Sequence, residues 1–342
     1  MSAFASEKCS LLLSQPKKVL HWRKIFGELF RGGLSPEEIK TLLLLIARRG
    51  EGSSEIWQCL EAVRRIEPPR SSRLTRLIDV SGTGGDGLRT FNISTVSSFV
   101  IAGAGGYVAK HGNRAVSSQA GSSDLMEALG VRLDVPFKRM LAALQKFGLC
   151  YFHAPFYHPS FAHVQKVRRE LGVRTFFNML GPLVNPLELR YQIVGVSNPA
   201  WAHPMAEMLK RLGRRRAAVL RSVGGLDELS THEPSDILLI EGRTTRKLRL
   251  NPKAFGFRRA KNSDYRGGSA ETNKKIALQV LEGRGGACED VVLLNSGFAL
   301  WLMEISKSIE QGIRKSLWAI HSGRAMEVLE NLRQTTREKE RT

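Results

Sequence analysis

Apolar positions recur at helical spacing in the first fifth of the chain. Ile39, Leu42, Leu43 and Ile46 fall at i, i+3, i+4 and i+7, which is one face of an amphipathic helix. Ser35-Pro36-Glu37-Glu38 supplies its start, with an N-cap serine, a proline in the first helical position and a glutamate three residues after the cap. Gly50 supplies its stop. A helix over 18–30 precedes it and ends at Gly32-Gly33, and another opens at Ser54 and ends before Pro68-Pro69. Three helices with no strand between them predict a small helical domain over 18–75, preceded by an aperiodic extension, 1–17.

From Leu77 the period changes to apolar run, glycine turn, helix, repeated. Residues 77–80, 108–109, 149–153, 191–196 and 217–220 read as strands. Residues 95–104, a stretch capped by Ser122 or Ser123 and running to Leu129, residues 136–147, the segment carrying Val164, Val167 and Leu171, and residues 204–212 read as helices. The predicted fold class is α/β: a small N-terminal helical domain, completed by helices around 160–185, and a large α/β domain over 76–333. The large domain has a central, mostly parallel sheet flanked by helices, and residues 334–342 form a charged tail.

Composition changes this picture little. Hydrophobic content of 42% and charged content of 25% over 342 residues are those of an ordinary globular chain. No apolar run approaches the length of a membrane span, and Leu11-Leu12-Leu13 is too short for a secretory segment, so a cytoplasmic protein is expected. Cys9, Cys59, Cys150 and Cys288 form no CxxC pair, which predicts reduced thiols rather than a metal or disulfide framework. The formal net charge of +20 is the unusual global property. Residues 210–261 hold 14 basic and 5 acidic side chains, including Arg214-Arg215-Arg216 and Arg243-Thr244-Thr245-Arg246-Lys247. Few aromatics interleave them, which favours a solvated basic face over a nucleic-acid surface.

The candidate chemistry starts at Gly82-Thr83-Gly84-Gly85-Asp86-Gly87, four glycines in six residues between a strand and a helix. Such a loop brings backbone N–H groups close to a ligand, and Asn92, Ser94 and Thr95 follow at the helix start, where an anion is favoured. The spacing matches neither common nucleotide loop. Asp86 is out of place in a pure anion site and suits a polyol or a metal. A second polar loop, Lys110-His111-Gly112-Asn113-Arg114, occupies the same strand-end position where doubly wound sheets bind ligands. Asp227-Glu228 reads either as a solvated turn pair or as oxygen ligands for magnesium. Arg168, beside Arg169 and Arg174, reads either as surface charge or as an anion contact.

Together these stretches resemble the anthranilate phosphoribosyltransferases, a class related to pyrimidine nucleoside phosphorylases. The resemblance rests on GTGGDGLRTFNIST (82–95), KHGNRAVSSQAG (110–121), SDLMEALG (123–130), His158-Pro159, VRRELGVRTFFNMLGP (167–182) and GLDELS (225–230), and it extends over about 18–332. It implies a homodimer that transfers phosphoribosyl from phosphoribosyl pyrophosphate to anthranilate with Mg2+. It also implies donor binding by Gly82, Thr83, Gly84, Gly85, Asp86, Thr90, Asn92, Ser94, Thr95, Lys110 and Ser118, with metal binding by Ser94, Asp227 and Glu228. Acceptor binding falls to His111, Asn113, His158, Arg168, Gly181 and Pro182. No residue is assigned as general acid or base, because an arylamine is already unprotonated at neutral pH. Departures from the family pattern include Ser160-Phe161-Ala162 after His158-Pro159, a short turn before Asp227, and Asn295-Ser296-Gly297-Phe298 in place of an alanine-rich helix start. The alternatives are a related transferase or nucleoside phosphorylase with another acceptor, and a nucleic-acid-binding relative without activity.

Overall fold

The computed structural model describes residues 22–50, 52–115, 119–172, 175–257 and 260–337; the expectations for 1–21, Arg174, Ser118 and 338–342 lie outside them. Helices α1 (Trp22–Phe30), α2 (Pro36–Arg49) and α3 (Ser53–Ile66) come first. At the start of α2, Ser35 Oγ accepts the Glu38 N–H at 3.3 Å and Glu38 Oε2 accepts the Ser35 N–H at 2.8 Å. This is the capping box expected from the sequence, a device contributing about 1 kcal/mol.

The chain then alternates: β1 (Leu77–Gly82), α4 (Ile93–Gly103), β2 (Tyr107–Gly112), α5 (Ser122–Ala128), α6 (Phe137–Phe147) and β3 (Leu149–His153). The short α7 (Ala154–Tyr157), then α8 (Ala162–Leu171) and α9 (Phe177–Leu180), lead back to β4 (Tyr191–Gly195), α10 (Ala202–Arg211) and β5 (Arg216–Ser222). A hairpin of β6 (Ser235–Glu241) and β7 (Thr244–Leu250) precedes α11 (Ala270–Leu281), α12 (Ala287–Leu302), α13 (Ile309–His321) and α14 (Arg324–Arg337). The seven strands form one sheet in the order β3-β2-β1-β4-β5-β6-β7, parallel from β3 to β5 and antiparallel beyond. Strand order reverses between β1 and β4, the position where open α/β sheets bind their ligands.

Successive residues of the strands feed two cores on opposite faces, as the two-residue period of a strand requires. Ile193, Ala218, Leu220, Ile237 and Leu239 pack with α4 and the C-terminal helices, whereas Val194, Ala217, Val219, Leu238 and Ile240 pack with α1–α3, α8, α9 and α10. Helix α4 is buried on all sides because α12, α13 and α14 cover it.

Three sequence expectations change. The basic stretch over 210–261 contains the β6–β7 hairpin, which the density of charge in β7 conceals; β7 is the last strand of the sheet and exposes most of its side chains. Arg214 is not part of a solvated face but is 4% exposed, donating from its guanidinium to Gln192 Oε1 and the Leu189 carbonyl, both at 2.9 Å. The cap of α5 is Gly121 rather than a serine, because Asp124 Oδ2 takes the Gly121 N–H at 2.7 Å while the Ser122 and Ser123 hydroxyls meet the Tyr151 hydroxyl. Helix α14 continues through Arg337 with Thr336 buried, so 334–337 are helical.

Candidate active site

β1 and β4 both end in glycine, and Gly82 and Gly195 are paired in register. A Cβ on Gly195 would stand 1.6 Å from the Asp227 carbonyl oxygen, and one on Gly82 would stand 2.2 Å from Asp227 Oδ2. The turn carrying Asp227 therefore lies directly on the two strand ends, against backbone at Gly195, where only glycine admits it, and against the Asp227 side chain at Gly82. Beyond Gly82 the loop takes left-handed φ at Gly84 (69°), Gly85 (71°) and Gly87 (78°), and also at Arg89 (54°). Thr83 N–H donates to the Gly195 carbonyl at 2.8 Å, and Asp86 Oδ1 accepts the Leu88 N–H at 3.0 Å in a short Asx-type turn. Thr90 bridges to Arg266, which fixes the far side of the loop.

Asp227 and Glu228 reach this loop from about 140 residues away. Asp227 Oδ2 accepts the Gly84 N–H at 2.8 Å, and Glu228 Oε1 accepts the Ser94 N–H at the start of α4 at 3.2 Å. Removal from bulk water, then the neighbouring Asp227 charge, push Glu228 up to about 8 despite Lys110 and the Ser94 hydrogen bonds. Two carboxylates that resist joint ionisation in this way suit a hard divalent cation. Among the described residues no group of three or more His, Cys, Asp or Glu side chains could hold a metal. Two carboxylates alone are a donor set of the kind magnesium uses when phosphate and water supply the rest of its coordination sphere.

Lys110 lies beneath the loop, 2% exposed, with Nζ donating to the Val80 carbonyl at 2.8 Å and to Ser94 Oγ at 3.3 Å. Burial pulls its ammonium down, while Asp79 and Glu228 oppose that pull. The Asn92 side chain is tied at both ends: Nδ2 donates to the Ala120 carbonyl at 3.2 Å and Oδ1 accepts from Asn273 Nδ2 at 2.9 Å. The Thr95 hydroxyl is buried and has no partner among the described residues.

Of the residues expected to bind the acceptor, His111 at the end of β2 and His158 pack edge to face with ring centroids 5.2 Å apart. His111 Nδ1 lies 3.1 Å from the Gly181 carbonyl. Burial, then the proximity of His158, take the His111 imidazole down to about 3, so the ring is neutral. The Pro182 carbonyl accepts from Gln192 Nε2, and a side chain at Gly181 would point into open space. Asn113 turns inward on its own loop, its Oδ1 accepting the Arg114 N–H at 2.7 Å. Arg168 on α8 stacks over Phe177 with its guanidinium carbon 5.5 Å from the ring centroid and donates to Asn178 Oδ1 at 3.1 Å. No acidic side chain pairs with it among the described residues, Nε is buried without a partner, and burial pulls the guanidinium down to about 10. Asn178 Nδ2 in turn donates to the Thr83 carbonyl at 3.4 Å, linking this arginine to the glycine loop.

Known proteins resemble this chain in sequence and fold. The profile of the glycosyl transferase family, a/b domain, matches residues 74–326. An anthranilate phosphoribosyltransferase of Bacillus cereus (strain B4264) is 41% identical over 302 residues, 88% of this chain and 89% of that protein. The chain belongs to the anthranilate phosphoribosyltransferase family. The crystal structure of the anthranilate phosphoribosyltransferase from Thermus thermophilus is similar at TM-score 0.88 and 36% identity, covering 98% of this chain and 99% of that one. The Saccharomyces cerevisiae anthranilate phosphoribosyltransferase in complex with PRPP and Mg is also similar at TM-score 0.88, with 25% identity and 98% of each chain covered. Membership makes the protein a phosphoribosyl-transferring enzyme of tryptophan biosynthesis. No helix among the described residues is long and apolar enough to cross a membrane.

Four residues that serve this anthranilate phosphoribosyltransferase site escaped the sequence reading. Asn295 on α12 grips Leu229, next to Glu228, through both backbone groups: Oδ1 accepts the N–H at 3.1 Å and Nδ2 donates to the carbonyl at 2.9 Å. Asp124 Oδ2 accepts the Ala115 and Gly121 N–H groups at 3.0 and 2.7 Å. Asn273 orients Asn92, and Asn178 joins Arg168 to the loop. The Asn295-Ser296-Gly297-Phe298 departure was the one available signal, although Asn295 lies in the middle of α12 and not at a helix start as expected, because the helix already begins at Ala287.

Proposed function

We propose that the chain displaces pyrophosphate from phosphoribosyl pyrophosphate with the amine of anthranilate, giving N-(5-phosphoribosyl)anthranilate, and that it does so as a homodimer. The observation that carries this reading is the meeting of the glycine loop, the Asp227-Glu228 pair and α4 at the β1/β4 reversal, with Arg168 tied to the same loop.

The barrier lies in charge and placement. The anomeric carbon becomes oxocarbenium-like as pyrophosphate leaves, so the site has to hold a polyanion and align a neutral nucleophile. The N–H groups around Gly84–Gly87 and the start of α4 receive phosphate oxygens, with Thr83, Thr90, Asn92, Ser94, Thr95, Lys110 and Ser118 as their side-chain partners. Asp86 addresses the ribose hydroxyls. Asp227, Glu228 and Ser94 hold Mg2+, which when bound screens the pyrophosphate charge. Arg168, a buried cation with no acidic partner among the described residues, takes the anthranilate carboxylate. His111, His158, Asn113, Gly181 and Pro182 surround its ring and amine.

Purified protein with phosphoribosyl pyrophosphate and Mg2+ should consume anthranilate fluorescence. No loss at saturating donor would overturn the reading, and turnover of a nucleobase instead would move it to the phosphorylase branch. Light scattering behind size-exclusion chromatography checks the dimer.

A further inference from the structure

The two histidines on the acceptor side share a feature that packing alone does not require. Each commits Nδ1 to a protein acceptor, the Gly181 carbonyl at 3.1 Å for His111 and Glu67 Oε2 at 2.7 Å for His158. Each leaves Nε2 buried with no partner among the described residues. A carbonyl and a carboxylate can only accept, so Nδ1 bears a proton in both rings, and a ring that carries no second proton offers a lone pair at Nε2. Burying two such lone pairs is unfavourable unless a donor arrives, and a primary arylamine brings two N–H bonds. With its N–H bonds engaged, its own lone pair is left to face the anomeric carbon.

Glu67 makes this arrangement conditional on the rest of the fold. It follows α3, in the connector that runs to β1, where its N–H donates to the Val63 carbonyl. Oε1 accepts the Ser160 N–H at 3.0 Å, so both carboxylate oxygens are spent on the 158–160 turn. Burial pushes this carboxyl up, but the hydrogen bonds from His158 and Ser160 outweigh burial and leave it below the usual range, hence ionised. The other titratable groups bearing on His111 are Lys110 and His153, at β2 and the end of β3.

We propose that Glu67 is a positioning residue for the acceptor: it fixes the His158 tautomer whose Nε2 lone pair, beside that of His111, receives the N–H bonds of the arylamine. This rests on the transferase reading above. The isosteric variant Glu67→Gln is diagnostic because Ser160 N–H can only donate. It draws the amide oxygen to itself, which turns the amide NH2 toward His158 and requires Nδ1 to accept.

The experiment is 15N NMR of histidine-labelled full-length protein, together with steady-state kinetics. In the unmodified protein the His158 signals should show a protonated Nδ1 and an unprotonated Nε2, a doubly protonated ring overturning the assignment; in E67Q the two nitrogens should exchange roles. KM for anthranilate should rise or kcat/KM for it fall by at least about tenfold, a lost hydrogen-bond acceptor facing a donor, while KM for phosphoribosyl pyrophosphate stays within about twofold. If E67Q fails to fold, Glu67→Ala, which removes the partner without adding a competing donor, should give mixed tautomers and a smaller loss. An Nδ1–H tautomer that persists in E67Q, or an inverted tautomer with unchanged use of anthranilate, overturns the assignment. Absence of turnover in the unmodified chain overturns the transferase reading instead.

Discussion

Gly195→Ala tests the claim that the carboxylate pair is seated by two strand ends. The added methyl would lie 1.6 Å from the Asp227 carbonyl oxygen and 2.5 Å from its carbonyl carbon. Ordinary contact begins near 3.4 Å, so strand and turn must part by well over an ångström. Both colliding partners are backbone, and both are held: Gly195 O by Thr83 N–H, and the turn by Asn295. Overpacking of this kind costs roughly 1–3 kcal/mol of stability, and a displacement of about 1 Å at a catalytic group costs on the order of 100-fold in rate. Gly82→Ala meets a different obstacle, the Asp227 carboxylate oxygen at 2.2 Å, which can swing aside. It should cost less stability but break the Asp227–Gly84 bond and raise the Mg2+ concentration for half-maximal rate. Anthranilate fluorescence progress curves over a Mg2+ series, with thermal melting alongside, separate the two variants. If Gly195→Ala keeps kcat/KM within about threefold and its melting temperature within about 2 °C, the turn does not rest on β4 as described.

Asn295→Leu should leave the Leu229 backbone groups unpaired, lowering stability by about 2 kcal/mol and raising the Mg2+ requirement several-fold; chemical denaturation and metal titration check both. His111 stays neutral in the fold, down to about pH 3, but an unfolded histidine protonates below about 6.5. The unfolded state therefore binds the extra proton in that window, and stability should fall with acidification by about 1.4 kcal/mol per pH unit below about 6.5 from this group; His111→Gln should remove that share of the slope in urea titrations at about pH 4.5–7. Arg168→Ala should raise KM for anthranilate by about tenfold or more and leave KM for phosphoribosyl pyrophosphate nearly unchanged, because its guanidinium lacks an acidic partner among the described residues. Equal effects on both substrates would place Arg168 with the donor.

The parts of the site that were legible in sequence are those whose chemistry is local. The glycine loop, Ser35 as a cap and the strand-end position of His111 each announce themselves within a few neighbouring residues. The parts that were not legible are single side chains acting across the fold. Asn295 touches Leu229, Asn273 touches Asn92 and Glu67 touches His158, at separations of 66, 181 and 91 residues. An asparagine within an apolar helix or a glutamate after one has no periodic signature, so its partner appears only once the sheet has brought the segments together. The β6–β7 hairpin was missed for another reason: β6 alone has a strand-like apolar run, while Thr244, Thr245, Arg246 and Lys247 disguise β7 as loop.

That last strand also gives part of the positive charge a task apart from catalysis. β7 ends the sheet, so among the described residues one row of its backbone donors and acceptors has no neighbouring strand and could template pairing with a second copy. Arg246 and Arg249 stand exposed along it, paired to Glu241 and Asp236 of β6, with Lys247 exposed between them. Long charged side chains on an edge strand oppose edge-to-edge pairing, and a β7 rebuilt from neutral β-branched residues would invite the chain to polymerise from its own edge.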